Sequence, residues 1–110
     1  MSMYAEYLME RTNDEILETE KGFITYRYIE NAKSVYIIDL YVKPEFRNSH
    51  EASQMADAVC KEAKERGFTK LLGSVVPSNK GSTSSLKVLL AYGMRLQSST
   101  NDFIFFEKEI

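Results

Sequence analysis

The chain has 110 residues and a mass of 12.7 kDa, of which 44% of residues are hydrophobic and 27% charged. This size and balance predict one globular domain over residues 1–110 and exclude a disordered or fibrous chain. The formal net charge of -2 argues against nucleic acid as a partner. One cysteine and one histidine supply neither an internal disulfide nor the usual zinc site, so no metal is expected. Without a long apolar run, we expect a cytoplasmic protein with no membrane partner.

The first half of the chain predicts a helix followed by strands. In chain order the elements are a helix over residues 3–11 and strands over residues 15–18, 23–29 and 34–42. The last two strands are separated by a short turn and are expected to pair as an antiparallel hairpin. The strand over residues 34–42 is apolar on both faces apart from Asp39, as expected of a central strand.

The second half alternates helices and strands. Pro44 ends the preceding strand, and apolar residues spaced by three and four predict a helix over residues 50–66, capped by Asn48 or Ser49 and ended by Gly67. A strand over residues 71–76, a helix over residues 86–93 and a strand over residues 103–106 follow. Cys60 lies on the apolar stripe of its helix and is expected in the core. Together the elements predict a mixed α/β domain with a parallel strand pair around the long helix.

The connection between the strand at residues 34–42 and the long helix is the segment most suited to a ligand. The first amide hydrogens of a helix lack intrahelical acceptors, and the helix dipole adds partial positive charge there. Arg47 would add a full charge, so this helix start is a candidate site for phosphate or pyrophosphate. An ordinary strand-to-helix connection that binds only water is the alternative.

The segment Leu-Tyr-Val-Lys-Pro-Glu-Phe-Arg at residues 40–47, followed by an amphipathic helix, a buried strand and a helix ending at Gly93-Met94, resembles the GNAT superfamily of N-acetyltransferases. The resemblance covers about residues 15–110. It implies a mixed, mostly antiparallel sheet with helices on both faces, and an N-terminal region shorter than the helices that usually carry acceptor specificity. It also implies acetyl-CoA as co-substrate.

The resemblance assigns residues to the cofactor. The family pattern Arg/Gln-x-x-Gly-x-Gly/Ala aligns with residues 47–52, where His50 replaces the first glycine and Glu51 stands at a usually apolar position. The pantetheine arm is expected between two splayed strands, here those at residues 34–42 and 71–76. The implied cofactor-binding residues are Leu40, Tyr41, Val42, Arg47, Asn48, Ser49, His50, Glu51, Ala52 and Asn79.

Acetyl transfer to an amine needs a base for the ammonium proton and hydrogen-bond donors for the developing oxyanion. Asp39 is the candidate base, because desolvation inside an apolar strand would raise the pKa of a carboxyl group. The alternative is an aspartate that bonds a backbone amide at a bulge or points into solvent. The resemblance also implies a tyrosine that protonates the leaving thiolate, four residues before the glycine that ends the helix. This chain has Leu89 at that position, and Tyr92 is a poor substitute because it lies on another face of the helix.

Three interpretations follow. The first is an acetyl-CoA-dependent transferase acting on a primary amine of a small molecule or a protein. The second is a GNAT-fold protein without catalysis that serves as a binding or regulatory module, and the third is an α/β domain whose loop binds nothing.

The strand at residues 103–106 could extend a sheet across a homodimer, or could simply be buried. The tyrosines could line an acceptor cleft, although packing is the commoner role of tyrosine in strands.

Overall fold

The computed structural model describes residues 3–47, 49–76, 78, 87, 89–100 and 102–110. Its centre is a six-stranded sheet with strands in the order β1-β2-β3-β4-β6-β5. The strands are β1 (Glu15–Glu18), β2 (Gly22–Ile29), β3 (Ser34–Val42), β4 (Lys70–Val75), β5 (Arg95–Ser99) and β6 (Ile104–Glu109). β3 and β4 run parallel, and every other neighbouring pair is antiparallel. The predicted mixed, mostly antiparallel sheet is therefore confirmed, together with the hairpin of β2 and β3.

Within the described residues the sheet is accompanied by α1 (Met3–Thr12) and α2 (Glu51–Glu65), and residues 87 and 89–91 are also helical. α2 ends as predicted at Gly67, whose φ of 86° is the left-handed conformation that glycine adopts without strain. The helical residues before Gly93 end in the same way, with Gly93 at a φ of 91°. No helix in these described residues is long and apolar enough to cross a membrane.

The core lies between α2 and one face of the sheet. Met55, Val59 and Ala63 project from α2 at helical spacing and are at most 2% exposed. They belong to one cluster with buried side chains of β2, β3 and β4, among them Ile24, Val35 and Leu71. Cys60 is buried in this cluster as expected, and burial raises the pKa of its thiol, so it behaves as a core residue.

Polar groups at this core are paired. The hydroxyls of Tyr26 and Tyr28 on β2 both donate to the Glu62 carboxylate of α2, at 3.1 and 2.7 Å. Burial raises the pKa of both phenols above the usual tyrosine range. These two tyrosines therefore pack and anchor α2, as the packing interpretation expected.

Three details differ from the sequence predictions. β5 was not predicted, because its five residues are all exposed and lack apolar alternation. Ser49 does not cap α2: His50 is the cap residue, and the Ser49 hydroxyl donates to the Phe46 carbonyl instead. The strand at residues 103–106 is β6, which begins at Ile104 and pairs with β4 on one side and β5 on the other. The expectation that it could continue a sheet into another subunit is therefore wrong, since both of its edges are occupied.

Candidate functional site

The two parallel strands pair over only part of their length. β3 and β4 are in register at residues 34–36 and 70–72, whereas β3 continues to pair with β2 through Val42. Beyond Tyr36 and Leu72 the strands separate. We call the space between residues 37–42 of β3 and residues 73–75 of β4 the gap. It leaves one backbone edge of β3 without a strand partner in the described part of the chain, which is the splay that the resemblance implied.

Apolar side chains from three parts of the fold line a small pocket under the gap. On the side of α2 they are Ile37 and Leu40 of β3, Ala52 and Ala56 of α2, Leu89 of the helical residues, and Met94. Gly73 of β4 lies beside this lining, since a Cβ there would be in van der Waals contact with Leu89 Cδ2 at 3.4 Å and Met94 Cε at 3.5 Å. Such a lining accommodates an uncharged chain and disfavours an ionic group.

A bulge in β3 decides which side chains border the gap. Tyr26 is opposite Ile37 and Thr25 is opposite Asp39, so Ile38 is an extra residue without a partner on β2. The extra residue shifts the alternation of faces. Tyr36 and Asp39, three residues apart, consequently lie on the same face of the sheet, the one directed away from α2.

Asp39 is exposed, not desolvated, so the expectation of a carboxyl group buried in an apolar strand is wrong. Its Oδ1 atom accepts a hydrogen bond from the Leu40 amide at 3.0 Å. The bulge is the physical reason, because it turns the side chain out of the core face and beside the gap. A role as base stays a prediction, now one for a solvent-accessible carboxylate.

The hydroxyls of Tyr36 and Ser74 contact each other across the start of the gap, on the face away from α2. Ser74 was not among the residues singled out from the sequence, and Tyr36 appeared there only as one of several tyrosines. The pair depends on the register of two strands that are distant in sequence, for which no local sequence signal exists.

Arg47 follows the open end of β3 and is turned back onto it. Its Nε donates to the Val42 carbonyl at 2.9 Å, and its guanidinium carbon lies 5.7 Å from the centre of the Tyr41 ring. Tyr41 in turn contacts Phe23 of β2, with ring centres 5.9 Å apart. Arg47 is exposed, and within the described ranges no carboxylate pairs with it. Its charge is therefore available at the mouth of the gap.

His50 has a left-handed backbone conformation, which glycine adopts without strain. Its φ of 65° and ψ of 13° are left-handed, and its side chain makes no capping hydrogen bond. The His50 carbonyl accepts the first bond of α2, from the Gln54 amide at 3.0 Å. The amides of the first turn, including those of Glu51 and Ala52, precede that bond and have no acceptor within the helix. The left-handed conformation is strained for His50, because a residue with a Cβ adopts it at a cost that glycine avoids.

The Glu51 side chain, at the first residue of α2, lies beside Lys21 in the turn between β1 and β2. The residue is 9% exposed, and its carboxylate lies 3.8 Å from Lys21 Nζ. Lys21 also lies over the Phe46 ring, with Nζ 5.4 Å from its centre. The negative charge is therefore compensated within the protein, and it stabilises the positive end of the α2 dipole.

Tyr92 lines the pocket with its ring, but its hydroxyl is occupied by α2. It donates to Asp57 Oδ1 at 2.6 Å and lies 3.6 Å from Cys60 Sγ, while Lys108 Nζ is 4.2 Å from the ring centre. Burial, followed by the hydrogen bonds to Asp57 and Cys60, raises the pKa of Tyr92 above the usual range. These contacts give it a packing role. Catalysis by Tyr92 stays a prediction that they do not favour.

Two of the residues assigned to the cofactor by resemblance, Asn48 and Asn79, lie outside the described residues. The others fall into two groups. Leu40, Tyr41 and Val42 form the open edge of β3, whereas Arg47, Ser49, His50, Glu51 and Ala52 belong to the loop and first turn of α2. The fold brings these groups to the same end of the gap.

Solved acetyltransferases share this fold. The PaiA N-acetyltransferase of Thermoplasma acidophilum, in complex with coenzyme A, is 20% identical with a TM-score of 0.75, over 96% of this chain and 67% of that one. A Bacillus subtilis acetyltransferase in complex with CoA is 14% identical with a TM-score of 0.71, over 97% of this chain and 82% of that one. The ribosomal-protein-S18-alanine N-acetyltransferase of Escherichia coli is 13% identical with a TM-score of 0.69, over all of this chain and 77% of that one.

Sequence comparison adds the family. No curated protein sequence matches the chain. The profile of the Acetyltransferase (GNAT) family matches residues 6–88, which include the bulged strand, the loop at residues 47–52 and α2. The match covers most of the chain and agrees with the fold of these solved acetyltransferases, so the chain belongs to the GNAT family of acetyltransferases.

Proposed function

We propose that this domain binds acetyl-CoA and transfers its acetyl group to a primary amine. The observation that carries the proposal is the gap between β3 and β4, which opens beside the start of α2. An unpaired strand edge, an apolar lining and free helix amides lie next to one another there. This combination fits a ligand with an amide-containing, largely uncharged arm joined to a pyrophosphate, and that is the construction of CoA.

In this proposal each group of residues holds one part of acetyl-CoA. The backbone of Leu40, Tyr41 and Val42 would pair with the pantetheine amides, much as an added strand pairs with a sheet edge. The amides of residues 48–52 and the Arg47 side chain would hold the pyrophosphate. The left-handed His50 fits this role, because it keeps the loop in the shape that directs successive amides toward an anion.

The chemistry required of the protein is modest. Asp39, exposed on the face away from α2, would accept the ammonium proton of the incoming amine, directly or through water. No covalent intermediate with the protein is needed, since the amine can attack the thioester itself. The amine would thus approach from the face of Asp39 and the CoA from the side of α2.

The acceptor is proposed only as a class, a primary amine on a small molecule or a protein. Among the neighbours, one is named as a ribosomal-protein-S18-alanine N-acetyltransferase and another as a nourseothricin acetyltransferase. The chain spans 57% of the nourseothricin acetyltransferase and 67% of the PaiA enzyme. Those neighbours support amines as acceptors without selecting one.

The test is calorimetric titration with acetyl-CoA. Wild type should bind, and Ala52→Leu should lose at least tenfold in affinity, because the added side chain enters the lining of the pocket. Ala58→Leu is the matched control, since Ala58 is exposed on the same helix and should bind like wild type. Absence of wild-type binding at millimolar acetyl-CoA would contradict the proposal.

A catalytically inactive binding or regulatory module is the second candidate. It is favoured by the strained His50 at a glycine position and by Leu89 where the family has its acidic tyrosine. Turnover decides between the two. We expect release of free CoA thiol with at least one member of a panel of an N-terminal alanine peptide, a diamine and nourseothricin, whereas tight binding without turnover would identify the module.

A cytoplasmic homodimer completes the proposal. The single free cysteine is buried and suits a reducing compartment. β5 offers an edge whose five residues are all exposed, so a second copy could pair with it. Light scattering should then give a mass that rises with concentration toward twice that of the chain, and a constant monomer mass would contradict the dimer.

A further inference from the structure

The Tyr36 and Ser74 hydroxyls occupy a particular point of the sheet. Tyr36 is opposite Leu72 in the last register pair of β3 with β4, and Ser74 lies two residues farther along β4, beyond that pair. The contact of the two hydroxyls therefore spans the start of the gap diagonally. The Tyr36 phenol therefore lies at the start of the gap, on the face of the sheet away from α2.

The face that carries this pair is settled by the register. Tyr36 is opposite Arg27 on β2, and Ser74 is opposite Phe105 on β6, whereas the buried Val35 and Leu71 lie on the other face against α2. Because of the bulge at Ile38, Asp39 also lies on the face of Tyr36. The candidate base and the hydroxyl pair thus border the gap from the same side.

The reaction needs a proton donor that the helical residues do not offer. When an acetyl group leaves CoA, the sulfur departs with the bonding electrons and must gain a proton. Leu89 has no proton to give, and the Tyr92 hydroxyl donates to Asp57. Among the described side chains around the gap, Tyr36 and Ser74 have hydroxyls at its narrow end.

We propose that Tyr36 is the general acid of this protein, with Ser74 positioning and reprotonating it. The inference rests on the proposed function. The amine nitrogen forms a bond to the thioester carbon as the carbon–sulfur bond breaks, and the sulfur takes its proton from Tyr36 Oη. Ser74 Oγ returns a proton to Tyr36 and is resupplied by solvent. The acylated nitrogen releases one proton to solvent, which balances the proton that solvent supplies through Ser74, and Asp39 passes the ammonium proton to solvent as the net proton released.

The first test needs no acceptor. CoA labelled with carbon-13 at the methylene beside sulfur is bound to the protein, and its NMR shift is followed against pH to read the pKa of the bound thiol. A phenol that donates to sulfur stabilises the thiolate, so Tyr36→Phe should raise that pKa by about one unit. Tyr28→Phe is the matched control, because it removes a hydroxyl of the neighbouring strand that bonds Glu62 on the other face.

Other charges near Tyr36 are the same in the variants compared. On its face, Arg27 is paired with Asp14 and Lys70 with Glu107, and Asp39 lies farther along β3. None of these groups changes between wild type, Tyr36→Phe and Tyr28→Phe. A difference in the thiol pKa confined to Tyr36→Phe therefore reports the phenol.

The second test separates chemistry from binding. Tyr36→Phe should lower kcat about 100-fold, as loss of a general acid does, with an unchanged Kd for acetyl-CoA by calorimetry. Ser74→Ala should lower kcat by a smaller factor, about tenfold, since the phenol remains and solvent can reprotonate it. Tyr28→Phe should retain wild-type kcat.

Two results would overturn the inference. If wild type binds acetyl-CoA and acetylates an amine, but Tyr36→Phe matches Tyr28→Phe in kcat and in the pKa of bound CoA, Tyr36 is not the acid and the proposed function stands. If wild type does not bind acetyl-CoA, the proposed function fails and this inference fails with it.

Discussion

The two ends of the parallel strand pair, β3 and β4, differ in strand pairing and in the exposure of their side chains. At the paired end, residues 34–36 of β3 and 70–72 of β4 are in register, and Val35 and Leu71 are at most 1% exposed. At the open end, residues 37–42 and 73–75 have no mutual register, and Ile38 and Tyr41 are 40% and 43% exposed. The open end also contributes Val42 and Val75 to the core, but it combines them with exposed side chains and borders the gap.

This difference shows how one pair of strands supports both stability and binding. Backbone groups at the paired end are satisfied within the sheet, so side-chain burial there contributes to folding. The open end leaves an edge and an apolar lining that a ligand can complete. We therefore expect substitutions at the paired end to lower the free energy of unfolding, and those at the open end to affect ligand affinity more than stability.

Truncation at the paired end should have the largest effect. Leu71→Ala removes a side chain that is 1% exposed, and should lower the free energy of unfolding by about 3 kcal/mol. Leu40→Ala at the open end removes a half-buried side chain and should cost about 1 kcal/mol, with a greater loss of acetyl-CoA affinity. Urea denaturation of both variants measures this, and equal costs would remove the distinction between the ends.

The second largest expected effect is stabilisation of the fold by acetyl-CoA bound at the open end. Acetyl-CoA at about 100 times its Kd should raise the free energy of unfolding by about 2.7 kcal/mol, because only the folded chain forms the gap. Hydrogen exchange should show the added protection at residues 37–42 more than at residues 34–36. Protection spread evenly over β3 would contradict binding in the gap.

The Asp14–Arg27 pair makes stability at the paired end depend on pH. Two hydrogen bonds, of 2.5 and 3.0 Å, join Arg27 to the buried Asp14 carboxylate and hold the pKa of Asp14 below its usual value. Because the folded pKa is the lower one, the contribution is complete above the ordinary value of about 4 and is lost as pH falls through the folded pKa.

Asp14→Asn should therefore cost about 1.5 kcal/mol at pH 7, reduced from a fully buried pair because Arg27 is half exposed. Its free energy of unfolding should also fall less steeply than that of wild type below about pH 4. Urea denaturation at several pH values measures both effects. An unchanged acid slope would show that another carboxyl group dominates.

Relief of strain at His50 should have the smallest effect on stability. His50→Gly should stabilise the fold by at most about 1 kcal/mol, since glycine adopts the left-handed conformation freely but gains entropy on unfolding. The control is Lys33→Gly, at a φ of 50° in the turn before β3. Both should gain similar stability, but only His50→Gly should tighten acetyl-CoA binding. Equal affinities in the two variants would place His50 outside the pyrophosphate site.

Much of the fold follows from local sequence. The apolar spacing on α2 and the glycine at its end both act within one or two turns, so they predict the helix closely. β3 likewise has the predicted bounds, because its apolar run is closed by the turn before Ser34 and by Pro44. β5 was missed for the same reason, since an exposed edge strand needs no apolar pattern.

Sequence alone therefore predicted most of the elements, the family resemblance and the position of the candidate anion-binding loop, because these depend on residues close together in the chain. Tertiary structure decided the rest of the site. The bulge at Ile38 depends on the register of β3 against β2, and it places Asp39 on the face of Tyr36 and in solvent. The Tyr36–Ser74 contact needs β4 beside β3, across a helix and many residues. The register of a strand and the face on which its side chains lie depend on the strand that it pairs with, so they cannot be read from one segment of the sequence.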